Sequence, residues 1–461
     1  MVRELLLVSI LLVGIAAVSC PVTHGGTASA ANESDEVLGV GPPEGRGAEE
    51  EHEIDSRGVD ADEGDLSEME RGGRTVSLRG APLALFFESL GELERDGEGL
   101  VRVLHWGDSH TAADFLTTAI RGSLQARFGD GGRGFVLLGE PWPSYRPTGV
   151  EAGADRPWDC ERILLAADPA TLDGRYGLGG VAVETERSQA RTWVATADEG
   201  SFGREAATFE IFYLNRPGGG SFRAFVDGRR RATVSTASRE VGSGFLRLEV
   251  EQGEHRLEIR ANGDGPIRLF GAVVESAGPG VVYDSLGING AFTSTPLRWD
   301  ADLLAEQVRR RDPSLIVAMY GTNDALARSL TPERYRGRVR QLISRLRAGA
   351  PQAACLLLGP PDLELGSIPD EEEGERESWM IDMQSQVAAE RDCAFLDLRE
   401  LMGGEGSRRE WLGAGLARDD GIHLTLPGYL DLGEAIAEEL LAAYDRHLDE
   451  LEQGEEEKER S

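Results

Sequence analysis

The sequence predicts an α/β protein built on a five-stranded parallel sheet, with a β-rich segment inserted into it. Three observations carry this. Five short, mainly apolar runs, Val101–Trp106, Val281–Leu286, Leu315–Tyr320, Cys355–Leu358 and Ala394–Leu398, suit strands covered on both faces. Helical periodicity separates most of them, and strand–helix alternation builds a parallel sheet. From about Pro141 to Phe270 the alternation stops, and short alternating runs replace any long helix.

At 461 residues the chain can bury one large core or two smaller ones. It opens with Arg3, an apolar run from Leu5 to Val18, and then Ala17-Val18-Ser19-Cys20. A run of about 14 residues is short for a membrane span and fits the core of a signal peptide. Residues 1–20 read as a signal peptide ending in a lipobox-like sequence, with Cys20 as the lipidated residue. Cleavage at Ala28–Ala30 and an uncleaved anchor are the alternatives. All three export the globular part to the cell envelope, as a periplasmic or surface lipoprotein on the first reading. The lipid would be its only membrane contact.

The net charge of −33 is uneven. Between Glu33 and Glu70 stand 15 acidic and 2 basic residues, so 21–74 reads as an unfolded acidic linker. Asp449–Ser461, with 7 acidic and 2 basic residues, reads as a solvated tail (449–461). An acidic chain without a basic patch argues against nucleic-acid binding.

Ordered structure is expected from 75, with the α/β domain in two parts, 75–140 and 273–448. Phe115, Ala119, Leu124 and Phe128 recur at helical spacing, and Thr111 with Asp114 reads as a capping box. One helix is therefore expected over Thr111–Phe128. Thr331-Pro332-Glu333 opens a second helix with proline at its tolerated first position, and Tyr335, Val339, Leu342 and Leu346 form its apolar stripe. A last helix starts near Pro427 and runs through Ile436, Leu440 and Tyr444. The insertion, 141–272, shows alternating runs at Phe222–Val226, Leu246–Val250 and Leu257–Ile259, with Asp227-Gly228 as a hairpin turn. It reads as a small sandwich. Cys355 and Cys393 open two runs expected to be neighbouring strands. A disulfide and two buried thiols both fit. No Cys/His spacing suggests a metal site, and no cofactor is expected.

Gly107-Asp108-Ser109-His110 leaves the first apolar run, where a nucleophile must stand to project from a sheet. An acyl-transfer serine needs a base, a group that orients it, and donors for the oxyanion. The chain has seven histidines. His24 and His52 lie in the leader and linker, His255 in the insertion, and His447 in the last helix. His105 points into a helix–sheet face, and His110 is too close to Ser109 along the chain. His423 remains. Asp420, three residues earlier, can bring its carboxylate to the imidazole Nδ1–H and leave Nε2 free for the serine proton. Asn323, in Tyr320-Gly321-Thr322-Asn323-Asp324, can offer its amide to an oxyanion. Gly290, in Gly287-Ile288-Asn289-Gly290-Ala291, can offer a backbone N–H, with Gly287 as the alternative in that block. Each motif alone fits an ordinary turn. Together they follow successive strands on one sheet edge, where open α/β sheets form their sites.

These blocks resemble those of the SGNH hydrolases of the GDSL esterase superfamily. The resemblance covers Val101–Phe135 and about Val281–Tyr444. It implies a flavodoxin-like three-layer fold with strand order 2-1-3-4-5. It also implies Ser109 as nucleophile, Asp420 and His423 completing a triad, and the Ser109 N–H, Gly290 and Asn323 as an oxyanion hole.

A narrower resemblance, to bacterial periplasmic peptidoglycan O-acetylesterases, rests on three stretches: His105–Thr111 with Asp114-Phe115, Tyr283–Ala291, and Leu416–Thr425. It implies an O-acetylated polysaccharide substrate and a carbohydrate-binding-like sandwich within the hydrolase. Trp142, Tyr145 and Trp158 are candidate sugar-stacking rings, with a core or hinge role favoured for each. An O-acetyltransferase would use the same triad. A general carboxylesterase and a non-catalytic surface glycan-binding protein are the other readings.

Overall fold

The five apolar runs form one parallel sheet in the computed structural model, which describes residue 78 and residues 81–142, 145–155, 158–164, 173–200, 202–364 and 370–460. The signal peptide, Cys20 and the acidic linker lie outside the described residues. The strands are Leu100–Gly107, Gly280–Gly287, Leu315–Met319, Ala354–Leu358 and Ala394–Leu396. In space the second lies outside the first, followed by the third, fourth and fifth. All pair in parallel, with Gly107 opposite both Gly287 and Met319, so their carboxyl ends share one edge.

Both faces of the sheet are buried because its side chains alternate between two apolar cores. Val101, Val103, Tyr283, Val317 and Leu356 face helices Ala84–Asp96, Phe115–Phe128 and Leu426–Glu459. Leu104, Trp106, Leu286, Ile316 and Leu357 face helices Ala301–Arg311, Pro332–Arg347 and Asp370–Glu390. Cys355 and Cys393 form a disulfide that links the last two strands, and Cys160 is free and exposed.

Between helix Phe115–Phe128 and the second strand the described residues form two antiparallel sheets. Their shared core holds Phe209, Ile211, Phe222, Leu257 and Ile259. The other face of the six-stranded sheet packs with the parallel sheet, through Phe212, Leu214 and Phe270 beside Trp106. The Asp227-Gly228 turn joins Ser221–Val226 to Arg229–Ser235, with φ of 51° and 72°, the positive values such a two-residue turn requires. The β-rich segment starts earlier than the expected boundary of 141. Gly134–Val136 already pairs with Val274–Ala272 of the six-stranded sheet.

Two further expectations are corrected. The helix expected over Thr111–Phe128 is broken into Ser109–Ala112 and Phe115–Phe128. Asp114 stands between them at φ 59° and does not cap. Its carboxylate is buried and accepts from Arg133 Nη2 (2.7 Å), Thr148 N (2.9 Å) and Thr117 Oγ1 (2.8 Å). The tertiary partners Arg133 and Thr148 outcompete the local cap. The acidic tail is helical, because the last helix runs unbroken to Glu459. Its first turns are packed against the sheet, so each further residue extends an existing helix without a new nucleation cost.

Candidate active site

Gly107 ends the first strand and lets the chain turn tightly into the short helix Ser109–Ala112. A Cβ there would lie 2.0 Å from Thr111 Oγ1. Asp108 caps this helix, its Oδ1 accepting the His110 N–H at 3.1 Å. Gly287, at the end of the second strand, lies directly under the same turn, and a Cβ there would meet Ala112 N at 2.1 Å. Ser109 is thus set at the carboxyl edge by two close backbone approaches.

His423 and Asp420 reach that edge from the loop before the last helix. His423 Nε2 lies 3.0 Å from Ser109 Oγ, and its Nδ1 lies 2.8 Å from Asp420 Oδ2. Asp420 Oδ1 accepts the Ile422 and His423 backbone N–H groups, each at 2.8 Å. A carboxylate at Nδ1 fixes the tautomer, with Nδ1–H donating and Nε2 accepting from the serine hydroxyl. Burial pushes the Asp420 carboxyl up. The hydrogen bonds from the His423 ring and the two backbone groups outweigh it and hold the carboxyl well below its ordinary range. The chain can therefore withdraw a proton from Ser109 Oγ and hold the resulting imidazolium.

Gly290 and Asn323 come together on adjacent loops. Asn323 Nδ2 donates to Ala291 O at 3.0 Å, and Gly290 adopts φ 76°, where an added Cβ would meet only Leu164 Cδ1, at 3.9 Å. Gly287 is closed off beneath the Ser109 helix, which leaves Gly290 as the glycine of that block with a free approach.

Two further histidines near the site are buried, and His24 and His52 lie outside the described residues. His110 is buried, its Nδ1 3.1 Å from Tyr429 Oη and its ring 5.8 Å from that of His423. His105 Nδ1 lies 2.9 Å from Tyr283 Oη. Burial lowers both to about 3, so both rings are neutral. Trp142 and Tyr145 pack edge to face at 5.0 Å, and Tyr145 Oη accepts the Leu137 N–H, which is a core role. Trp158 is likewise buried.

Sequence reasoning missed the roles of four buried residues here. Asp324 accepts Thr293 N and Oγ1, each at 2.7 Å, tying the Asn323 turn to the Gly290 loop. The Asp114–Arg133 pair braces the helix after Ser109. Arg408 lies under the His423 loop. No spacing marks them, because their partners are distant in the chain.

Fold and site define a class, an α/β ester hydrolase with serine, histidine and aspartate in line on the sheet edge. The chain carries a GDSL/SGNH lipase–acylhydrolase domain, and the profile of the GDSL-like Lipase/Acylhydrolase family matches residues 252–430. That span includes Gly290, Asn323, Asp420 and His423, whereas Ser109 precedes it across the β-rich segment.

One solved structure, described as "Peptidoglycan O-acetylesterase in action, 5 min", is 24% identical and covers 79% of this chain and 97% of its own, with a TM-score of 0.65. A lipase/acylhydrolase from Enterococcus faecalis is 23% identical over 35% of this chain and 76% of its own, at a TM-score of 0.28. A family two carbohydrate esterase from Cellvibrio japonicus is 11% identical over 64% and 98%, at 0.27. These last two likenesses are too slight to carry an argument. No curated protein sequence matches the chain.

Proposed function

We propose that the protein is a serine esterase that removes O-acetyl groups from cell-wall glycan of the peptidoglycan type. The observation that carries this is the continuous Ser109–His423–Asp420 contact, at 3.0 Å and 2.8 Å. The substrate class is supported by the likeness, over most of both chains, to the peptidoglycan O-acetylesterase.

Ser109 Oγ attacks the acetyl carbonyl while His423 Nε2 takes its proton. Asp420 holds the ring and stabilises its positive charge. The Ser109 and Gly290 N–H groups and the Asn323 amide receive the oxyanion. The C–O bond to the sugar breaks, and its oxygen leaves with the proton from His423. Water then attacks the acetyl-enzyme, giving its proton to His423, and acetate departs as Ser109 recovers the proton. No step calls for a cofactor or metal.

The sandwich between the first two strands would hold the glycan near the site. Export through residues 1–20, with a lipid on Cys20, would place the enzyme in the cell envelope beside its polymer. The test is free acetate from O-acetylated peptidoglycan, from the chemically deacetylated polymer and from acetylated xylan. The reading expects release from the first, abolished in Ser109→Ala. Release from xylan alone would overturn the substrate, and release unchanged in Ser109→Ala would overturn the nucleophile.

A further inference from the structure

His423 and Asp420 sit on an exposed turn, yet their chemistry tolerates little positional error. The turn Arg418–His423 closes with Arg418 N donating to His423 O at 2.9 Å. Beneath it lies the Arg408 side chain, only 2% exposed. Its Nη2 donates to Arg418 O and His423 O, each at 2.9 Å, and its Nη1 donates to Ile422 O at 3.0 Å. The same Nη2 lies 3.5 Å from Asp420 Oδ1. One guanidinium thus gathers both ends of the turn, the carbonyl between them and the triad carboxylate.

Arg408 is itself fixed from the sheet. It stands on the short helix Ser407–Gly413, and its backbone N–H donates to Asp362 Oδ2 at 2.8 Å, just beyond the fourth strand. A second tie, Glu364 N to Gly421 O at 2.9 Å, joins the same post-strand segment to the turn.

We infer that Arg408 is a positioning residue for the reaction: it sets the Asp420–His423 turn relative to the sheet edge, so that Nε2 meets Ser109 Oγ. The inference rests on the triad reading above. The geometry requires a planar fork with several fixed donors. A lysine ammonium can satisfy part of the carbonyl set but cannot hold all three in one plane. Losing the fork leaves carbonyls for water to fill and frees the turn to shift. Misplacement of a catalytic group by about 1 Å costs on the order of 100-fold in rate.

The test compares full-length wild type with Arg408→Lys, Arg408→Met and Leu440→Ala. Leu440 stands on the last helix with its side chain buried in the core, so its variant matches a loss of stability without touching the turn. Active sites are titrated with a fluorophosphonate, and kcat and KM are measured on a simple acetyl ester, with Tm for each protein. We expect kcat per titrated site to fall roughly 100-fold in Arg408→Met and about tenfold in Arg408→Lys. KM should stay within about twofold, and Leu440→Ala should keep its kcat despite a lower Tm. Wild-type kcat in both Arg408 variants, or a kcat that follows Tm in Leu440→Ala as well, overturns the inference. If Arg408→Met does not fold, Arg408→Lys decides. An inactive wild type would instead overturn the triad reading, a separate outcome.

Discussion

Replacing Asp420 by asparagine changes one atom, and the hydrogen bonds of its carboxylate dictate the consequence. Asp420 Oδ1 accepts two backbone N–H groups at 2.8 Å, and Oδ2 accepts the ring Nδ1–H at 2.8 Å. Asparagine has one acceptor oxygen. The backbone donors of Ile422 and His423 cannot turn away, so that oxygen stays with them and the NH2 faces Nδ1. Two donors cannot face each other, so the ring shifts its proton to Nε2. Nε2 then donates to Ser109 and can no longer take its proton. In a serine–histidine–aspartate site this tautomer error costs about 10⁴ in kcat. That is ~5.4 kcal/mol of barrier at ~1.36 kcal/mol per decade. The fold should be untouched, because the side chain is isosteric and keeps its backbone bonds. The assay is steady-state acetate release per titrated site, with nitrogen NMR of the imidazole to read the tautomer. A loss smaller than about tenfold, or an unchanged tautomer, would refute the reasoning.

Other predictions follow from the buried groups. Asn323→Ala should cost about 2.7–4 kcal/mol of transition-state stabilisation, read as kcat on an acetyl ester with KM little changed; full activity would remove Asn323 from the oxyanion site. Asp114→Ala strands the buried Arg133 guanidinium and should destabilise the fold by about 3–5 kcal/mol in urea titration. Burial pushes Asp114 up, but Arg133, Arg121 and its hydrogen bonds lower its carboxyl from 3.8 to about 2, so its stabilisation is complete above pH 3.8 and is lost as pH falls toward 2. An acid-unfolding curve unchanged in Asp114→Asn would contradict this. Asp108 has the opposite sign. Burial raises it from 3.8 to about 7, so wild-type stability falls as pH rises between those values, and Asp108→Asn should gain Tm on wild type across that window. A pH-independent difference would show that this carboxyl does not titrate there. Replacing Cys355 and Cys393 by alanine opens a bridge spanning 38 residues and should cost about 2–4 kcal/mol, read as the urea midpoint.

The parallel sheet was legible because its strands are mainly apolar runs, a pattern that suits burial on both faces, although Arg102 and His105 interrupt the first and Asp284 and Ser285 the second. Ser109, Gly290 and Asn323 of the candidate site were legible for the same reason, since they lie a few positions beyond those runs, whereas Asp420 and His423 stand well past the last strand and were reached by elimination among the seven histidines. The helix break at Asp114 was not legible. Thr111 and Asp114 carry the spacing of a cap, but Arg133 and Thr148, well along the chain, draw the carboxylate into the core. Gly134–Val136 was missed as a strand because three residues show no periodicity, and only pairing with Ala272–Val274 defines them. The helical tail was missed because acidic composition was read as disorder, without weighing the packed helix that precedes it. Arg408 stands in a charged stretch, Ser407-Arg408-Arg409-Glu410, where nothing local separates the buried arginine from its exposed neighbour.

The central claim is that Ser109 carries the acetyl group between glycan and water. The most direct measurement is mass analysis of the Ser109-containing peptide, after the enzyme has turned over an acetyl ester and been quenched with acid. The account predicts an acetyl adduct on Ser109, absent in Ser109→Ala and formed far more slowly in Asp420→Asn. Sustained acetate release with no adduct on Ser109, or with the adduct on another residue, would contradict it.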